Sequence, residues 1–212
     1  MAIALIDYGA GNLTSVRKAL GHLGASFATP AEPADLAGAD GVIVPGVGNF
    51  EATAALGGGW RSAIRDAVDR GRPLLGICLG LQWLFEGSDE APDVPGLGAM
   101  AGRCALIEND TASDATRYRG GIFKVPHVGW NGIERRRGAS WALDGVPDGA
   151  QVYFTHSYAA PVTADCVGAT TYGVSFASVV ERGDVVGAQF HPEKSGDIGL
   201  RVLANFLRRV AP

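Results

Sequence analysis

A short segment around Cys78 has the residues and spacing of a nucleophilic turn. It reads Gly76-Ile77-Cys78-Leu79-Gly80 and separates an apolar run typical of a strand from a stretch with helical spacing. Gly-x-Cys-x-Gly is the thiol form of the nucleophile elbow, in which a sharp turn lifts the reactive side chain above the sheet edge. The helix start favours the thiolate, and the next backbone N–H is placed to hold an oxyanion. The alternative is a buried, inert cysteine beside two packing glycines.

A second segment, far along the chain, supplies a base and a carboxylate. His191-Pro192-Glu193 directly follows an apolar strand over 185–189. In extended chain, residues i and i+2 project to the same side, so Glu193 can hold one imidazole nitrogen while the other acts on a thiol. Both segments follow strands, and sites in open α/β sheets lie beyond the carboxyl ends of strands. The sequence predicts a Cys78–His191–Glu193 triad, against the alternative of a surface histidine in a turn.

The remaining chain shows how these segments are positioned. Short, continuously apolar strands alternating with helices predict a parallel sheet covered on both faces, and the closely spaced strands that follow predict antiparallel hairpins added to it. The predicted strands span 3–6, 41–44, 73–77, 151–154, 167–172, 174–179 and 185–189, and the predicted helices span 13–23, 50–68, 79–85 and 197–210.

Composition limits the class of protein. The 212 residues are 47% apolar and 19% charged with a net charge of −4, which predicts a globular chain without a nucleic-acid or membrane-binding character. We expect a single domain over 1–212, although two small domains would fit the length. The N-terminus has the pattern of a buried strand rather than a secretory signal. The three cysteines, Cys78, Cys104 and Cys166, suit neither a disulfide framework nor a zinc site. We therefore expect a cytoplasmic protein without metal or cofactor.

The two segments together resemble the class I glutamine amidotransferases. Pro45-Gly46-Val47-Gly48 matches a further element of that family, the loop that supplies a second oxyanion-hole N–H. The resemblance implies a flavodoxin-like α/β fold: a mainly parallel sheet with helices on both faces and some appended antiparallel strands. It also implies hydrolysis of glutamine to glutamate and ammonia. Residues implied in the oxyanion hole are Gly46, Val47 and Leu79; those implied in the glutamine pocket are Gly48, Gln82, Ser157 and Tyr158.

Five ordered segments narrow the resemblance to the branch of the family that serves a (β/α)8-barrel cyclase in histidine biosynthesis. They are 7–12, 45–50, 126–131, 153–158 and 190–195. The resemblance implies a heterodimer with that cyclase, and we expect Asn12, Trp130, Tyr153 and Lys194 at the interface. Tryptophan and tyrosine are enriched at interface hot spots, although ordinary packing would also explain them. For His127 and His156, structural hydrogen bonding and chemistry fit equally well.

Three other functions stay open at this point. The first is the related branch that serves pyridoxal phosphate synthase, against which segment 126–131 argues. The second is a cysteine peptidase or thioesterase on an α/β scaffold, which would use esters or peptides instead of glutamine. The third is a binding domain that has lost catalysis, against which the intact triad weighs.

Overall fold

The computed structural model describes residues 3–11, 13–107, 117–118, 121–122, 124–136 and 139–211. In these ranges the α-helices are α1 (Leu13–His22), α2 (Gly59–Asp69), α3 (Leu79–Leu84) and α4 (Gly196–Val210). The strands are β1 (Ile3–Leu5), β2 (Phe27–Ala28), β3 (Gly41–Val44), β4 (Leu74–Ile77), β5 (Gly87–Ser88), β6 (Ala91–Pro95), β7 (Arg103–Leu106), β8 (Arg117–Tyr118), β9 (Gly121–Ile122), β10 (His127–Arg135), β11 (Ala150–His156), β12 (Tyr158–Ala159), β13 (Cys166–Tyr172), β14 (Val174–Arg182) and β15 (Val185–Ala188). Short 3-10 helices span Pro33–Gly38, Phe50–Leu56 and Pro192–Lys194.

The main sheet confirms the predicted flavodoxin-like topology. Five neighbouring strands, in the order β2-β1-β3-β4-β15, run parallel to one another. This is the doubly wound 2-1-3-4-5 order, with the fifth position taken by β15. Beyond it the sheet continues antiparallel through β14, β13, β10 and β11. Of these appended antiparallel strands, β11, β13 and β14 correspond to strands predicted from the sequence.

Side-chain alternation along the strands builds a core on each face of the sheet. Ile3 and Leu5 of β1 pack in one hydrophobic cluster with buried residues of α1 and α4. Ala4, between them, faces the other cluster, which contains buried residues of α2 and α3. Because both faces are covered by helices, the central strands are continuously apolar. None of the described helices is both long and apolar enough to cross a bilayer.

Several elements differ from the prediction, and two of them show the local reasons. The helical region predicted over 50–68 is a 3-10 helix followed by α2, since Gly58 has a φ of +58°, which ends one helix before the next begins. Strand β10 was not predicted, although it has nine residues. Its exposed and half-buried positions, with glycines at 129 and 132, hide the alternation that marks a strand.

The pairing of β4 with β15 brings the two chemical segments together. Ile77 at the end of β4 lies opposite Ala188 at the end of β15. The Cys78 N–H donates to the carbonyl of Ala188 at 2.7 Å. Residues 78 and 191, remote in the chain, therefore leave the sheet at the same edge, as expected for the carboxyl ends of parallel strands.

Candidate active site

Cys78 has the strained backbone of a nucleophile elbow. Its φ of +54° and ψ of −105° make it the one non-glycine residue with positive φ in the described parts of the chain. Two glycines make this turn possible. A side chain at Gly80 would overlap the carbonyl oxygen of Val44, and one at Gly76 would meet the backbone of Gly80. The Gly-x-Cys-x-Gly pattern is therefore explained by steric clashes that any side chain at Gly76 or Gly80 would cause, as predicted.

His191 and Glu193 form a buried pair beside this turn. The Nδ1 nitrogen of His191 lies 2.8 Å from Oε1 of Glu193, and both side chains are only 2% exposed. A 3-10 turn over Pro192–Lys194, rather than extended chain, brings the carboxylate back to the ring. The backbone of His191 is held from two sides, because its N–H donates to the carbonyl of Tyr153 at 3.0 Å and its carbonyl accepts from Ser195 Oγ at 2.7 Å.

The electrostatics of His191 favour the imidazolium. Burial alone would lower its pKa, but the Cys78 sulfur and the Glu193 carboxylate outweigh burial and raise the pKa of His191 to about 9. Its Nε2 nitrogen is buried and makes no hydrogen bond of normal geometry with the described residues. The sulfur of Cys78 nevertheless lies close enough to raise the pKa of this ring. Such a pair can exist as thiolate and imidazolium, the reactive form of a cysteine nucleophile.

The glycine-rich loop after β3 lies directly over the turn. The N–H of Leu79 donates to the carbonyl of Gly46 at 3.4 Å, so the donor expected for an oxyanion is engaged by the loop. Gly46 is in close contact with Leu79 and with the hydroxyl of Tyr8, and a side chain there would overlap that hydroxyl. Burial, and then the charge of Cys78, raise the pKa of Tyr8. Val47, the next residue, is half-buried.

A cavity of about 190 Å³ opens beside Cys78. All four residues expected to contact glutamine line it, namely Gly48, Gln82, Ser157 and Tyr158. The other lining residues, besides Cys78 itself, are Leu79, Glu90, Pro126, Thr155 and His156. Glu90 is the one carboxylate among these lining residues, and its Oε2 accepts from the N–H of Phe50 at 2.8 Å. Glu90 was not among the predicted residues, since nothing in the chain near it signals that its hairpin folds against the elbow.

Gln189 is a second residue that the sequence analysis missed. Its side chain is fully buried and its Nε2 donates to the sulfur of Cys78 at 3.8 Å. One signal for it was present in the sequence: Gln189 is a polar residue directly after the apolar strand 185–188. A buried amide at that position needs a hydrogen-bond partner.

His127 and His156 form a buried structural pair on neighbouring strands. His127 Nδ1 lies 3.3 Å from His156 Nε2, and His156 Nδ1 lies 2.9 Å from the carbonyl oxygen of Tyr158. Burial lowers the pKa of His127 to about 4. Burial and the neighbouring His127 lower that of His156 to about 3. Both rings are therefore neutral at pH 7, and His127 also stacks on Tyr172 and Phe154. This geometry favours the structural interpretation over acid–base chemistry.

Two of the expected interface residues lie side by side on β10 and β11. Trp130 is paired with Tyr153 across these strands, with ring centroids 6.1 Å apart, and is 57% exposed. Lys194 is also exposed, in the 3-10 turn that carries Glu193. Asn12 lies outside the described residues, so its expected role stays a prediction.

Comparison with known proteins places the chain in a family. The family model described as "Glutamine amidotransferase class-I" matches residues 4–210. A solved glutamine amidotransferase shares the fold with a TM-score of 0.70 at 18% identity, covering 99% of each chain. PurLQS from Thermotoga maritima does so with a TM-score of 0.69 at 18% identity, covering 98% of this chain and 97% of that one. The chain belongs to the class-I glutamine amidotransferase family and is an enzyme of that family, as its motifs predicted.

Curated relatives identify the branch. A relative in Deinococcus radiodurans is 45% identical, covering 99% of this chain and 94% of its own. A relative in Thermococcus kodakarensis is 45% identical and covers 97% of this chain and 99% of its own. A relative in Moorella thermoacetica is 47% identical and covers 96% of this chain and 93% of its own. All three are named imidazole glycerol phosphate synthase subunit HisH. The resemblance to the histidine-biosynthesis branch is confirmed.

Proposed function

We propose that this chain hydrolyses glutamine with Cys78, His191 and Glu193 and passes the ammonia to a cyclase partner in histidine biosynthesis. The observation that carries the proposal is the buried His191–Glu193 pair, whose imidazole is electrostatically coupled to the sulfur of a strained elbow cysteine. This arrangement supplies a nucleophile, an acid–base group and an orienting carboxylate at one edge of the sheet.

The reaction proceeds in two halves. The Cys78 thiolate attacks the side-chain carbonyl carbon of glutamine, and His191 donates its proton to the nitrogen that leaves as ammonia. The C–N bond breaks and a thioester remains. Neutral His191 then takes a proton from water, whose oxygen attacks the thioester and releases glutamate and the thiolate. Glu193 fixes the ring orientation throughout, since its oxygen accepts from Nδ1.

The oxyanion hole requires a rearrangement of the loop. While the carbonyl of Gly46 accepts from Leu79, that N–H is not available to an oxyanion. Rotation of the Gly46–Val47 peptide would remove this carbonyl and present the N–H of Val47 in its place, giving two donors. One such donor is commonly worth about 3 kcal/mol of barrier. We therefore expect the chain alone to be a poor glutaminase and its partner to stimulate it.

Glutamine fits the cavity by charge. Its α-ammonium group needs an anionic partner, and Glu90 is the carboxylate that lines the cavity in the described structure. Gly48, Gln82, Ser157 and Tyr158 supply the other polar contacts. A peptidase or thioesterase would have no comparable role for the Glu90 carboxylate in this cavity, which disfavours these two alternatives.

The partner we propose is a (β/α)8-barrel cyclase, forming a heterodimer. The relatives are named as one subunit of a synthase, which implies another. Trp130, Tyr153 and Lys194 supply the interface on this chain, together with Asn12. The complex would use ammonia to convert a phosphoribosyl imidazole-carboxamide intermediate to imidazole glycerol phosphate and an aminoimidazole carboxamide ribotide.

Replacement of the nucleophile separates the two activities. We expect Cys78→Ala in the complex to lose glutamine-dependent synthesis by several orders of magnitude, because no thioester can form, and to keep synthesis from ammonium salts. The measurement is the synthase rate with each nitrogen source. Cys166→Ala, at a buried cysteine away from the cavity, is the control. Retained glutamine use by Cys78→Ala would contradict the proposal.

A further inference from the structure

A buried chain of hydrogen bonds leads from the carbonyl of Tyr158 to the nucleophile. Gln82 Nε2 donates to the Tyr158 carbonyl at 2.7 Å and also to Oε1 of Gln189 at 3.3 Å. Gln189 Nε2 donates in turn to the sulfur of Cys78 at 3.8 Å. Gln82 is 4% exposed and Gln189 is not exposed at all, and hydrogen bonds are stronger in such surroundings than in water.

The direction of this chain is fixed at one end. A backbone carbonyl can only accept, so Gln82 must turn its amide nitrogen toward Tyr158. The same nitrogen faces Gln189, which must therefore present its oxygen there and its own nitrogen to the sulfur. The carbonyl of Tyr158 thus fixes the orientation of both amides, so that the sulfur of Cys78 accepts from an N–H of Gln189. A reversed amide at Gln189 would face the sulfur with an oxygen and repel a thiolate.

The histidine pair holds the carbonyl that sets this direction. His156 Nδ1 bonds the same Tyr158 oxygen, so this nitrogen must carry a proton. Its Nε2 is then an acceptor in the neutral ring, and His127 Nδ1 donates to it. Tyr158 O accordingly accepts from two buried side chains on different elements, which leaves it little freedom to move.

From this geometry we infer that Gln189 is a positioning residue for the nucleophile. It stabilises the thiolate of Cys78 and directs the thiol proton toward His191, and Gln82 acts through it. The inference rests on the proposed function, since it assigns a role within the same site. It concerns a residue outside the triad, the oxyanion loop and the cavity wall.

Alkylation of Cys78 tests this role without needing turnover. The full chain is treated with iodoacetamide between pH 5.5 and 9, and modification of the Cys78 peptide is followed by mass spectrometry. Gln189→Met keeps the length of the side chain and removes the donor. We expect it to slow modification about tenfold near pH 6.5, and to move the half-maximal rate about one pH unit upward, since hydrogen bonds to charged groups are worth about this factor. The plateau rate at high pH should change little. Gln151→Met, at an exposed glutamine of β11, is the matched control.

A double-mutant cycle tests the link to Gln82. Gln82→Met should also shift the pH profile upward, because Gln189 loses the contact that orients it. The double variant should then be no slower than Gln189→Met alone. An unshifted profile for Gln189→Met, or for Gln82→Met if Gln189→Met does not fold, overturns the inference. The inference is also overturned if the double variant is slowed by the product of the two single-variant effects on the alkylation rate. If the wild-type complex fails to use glutamine, the proposed function fails, and the alkylation profiles still decide the role of Gln189.

Discussion

Glu193 illustrates how one residue sets the chemistry of its neighbour. Its carboxylate is almost completely buried and bonds a single imidazole nitrogen. The cost of burying this charge is offset only if His191 is protonated or strongly oriented. The carboxylate is therefore one cause of the raised pKa of His191, together with the sulfur.

Replacing this carboxylate should change both the rate and its pH dependence. Glu193→Gln keeps the size but removes the charge that favours imidazolium, so the pKa of His191 falls from about 9. Because His191 must hold a proton to expel ammonia in the proposed mechanism, activity should fall off at a lower pH in the variant, and kcat should drop roughly 10²- to 10⁴-fold. The check is glutamine turnover by the complex from pH 6 to 10. If the loss of glutamine turnover at high pH occurs at the same pH in Glu193→Gln as in the wild type, Glu193 does not act on His191.

A candidate site residue could be identified from the sequence where the residue carries its own local signal. Cys78 lies in a turn whose glycines are needed at those positions, and His191 follows a strand directly. Glu90 and Gln189 carry no such signal. They reach the site because a hairpin and a strand end happen to fold against the elbow, and only tertiary contact reveals that.

At the scale of elements, the elbow between β4 and α3 has the least tolerance for change. Three backbone segments meet there: the end of β3, the turn itself and the start of α3. The close approach of Gly80 to Val44 leaves no space for even one methyl group. The strained φ of Cys78 is kept because these contacts surround it.

A methyl group at Gly80 should therefore destabilise the whole domain. We expect Gly80→Ala to lower the free energy of unfolding by about 2–3 kcal/mol or more, because the backbone of Val44 cannot move aside cheaply. Gly21→Ala in α1 is the matched control, since a Cβ there meets nothing within 4 Å. That change should stabilise by about 0.5–1 kcal/mol through helix propensity. Urea unfolding measures both, and equal stability of Gly80→Ala and wild type would contradict the steric account.

Elements were predictable where periodicity is strong. The central parallel strands and helices α1, α3 and α4 were predicted within a few residues, because they are buried on a defined face. Strand β10 was not, since its pairing with β11 and β13 is decided by those neighbours and its own residues are half exposed. Its role in carrying both His127 and Trp130 therefore could not be derived from its pattern.

For the whole molecule, β10 and β11 connect the expected partner surface to the site. Trp130 and Val128 are more than half exposed on β10, at 57% and 56%, a large apolar area for two neighbouring positions. Across from them, the carbonyl of Tyr153 accepts from the backbone N–H of His191. A partner bound to this surface would thus lie against the strand whose Tyr153 carbonyl holds the backbone of His191, the proposed acid–base group.

Truncating the exposed indole should weaken the heterodimer and spare the fold. We expect Trp130→Ala to reduce affinity for the cyclase about 30-fold or more, the effect of losing an interface hot spot of about 2 kcal/mol. Thermal unfolding of the isolated chain should change little, because the ring is mostly in solvent. Titration calorimetry with the cyclase gives the affinity, and Trp60→Ala, at a half-buried tryptophan of α2, serves as the control. Unaltered affinity would place the partner elsewhere.

The central claim is that Cys78 is the nucleophile toward glutamine and that His191 activates it. The most direct measurement is covalent labelling of the complex with an electrophilic glutamine analogue, followed by mass spectrometry of the intact chain and its peptides. We expect one adduct, on Cys78, which forms much more slowly in His191→Asn and is suppressed by excess glutamine. Labelling of Cys104 or Cys166 instead, or a Cys78 adduct that forms at the same rate without His191, would contradict it.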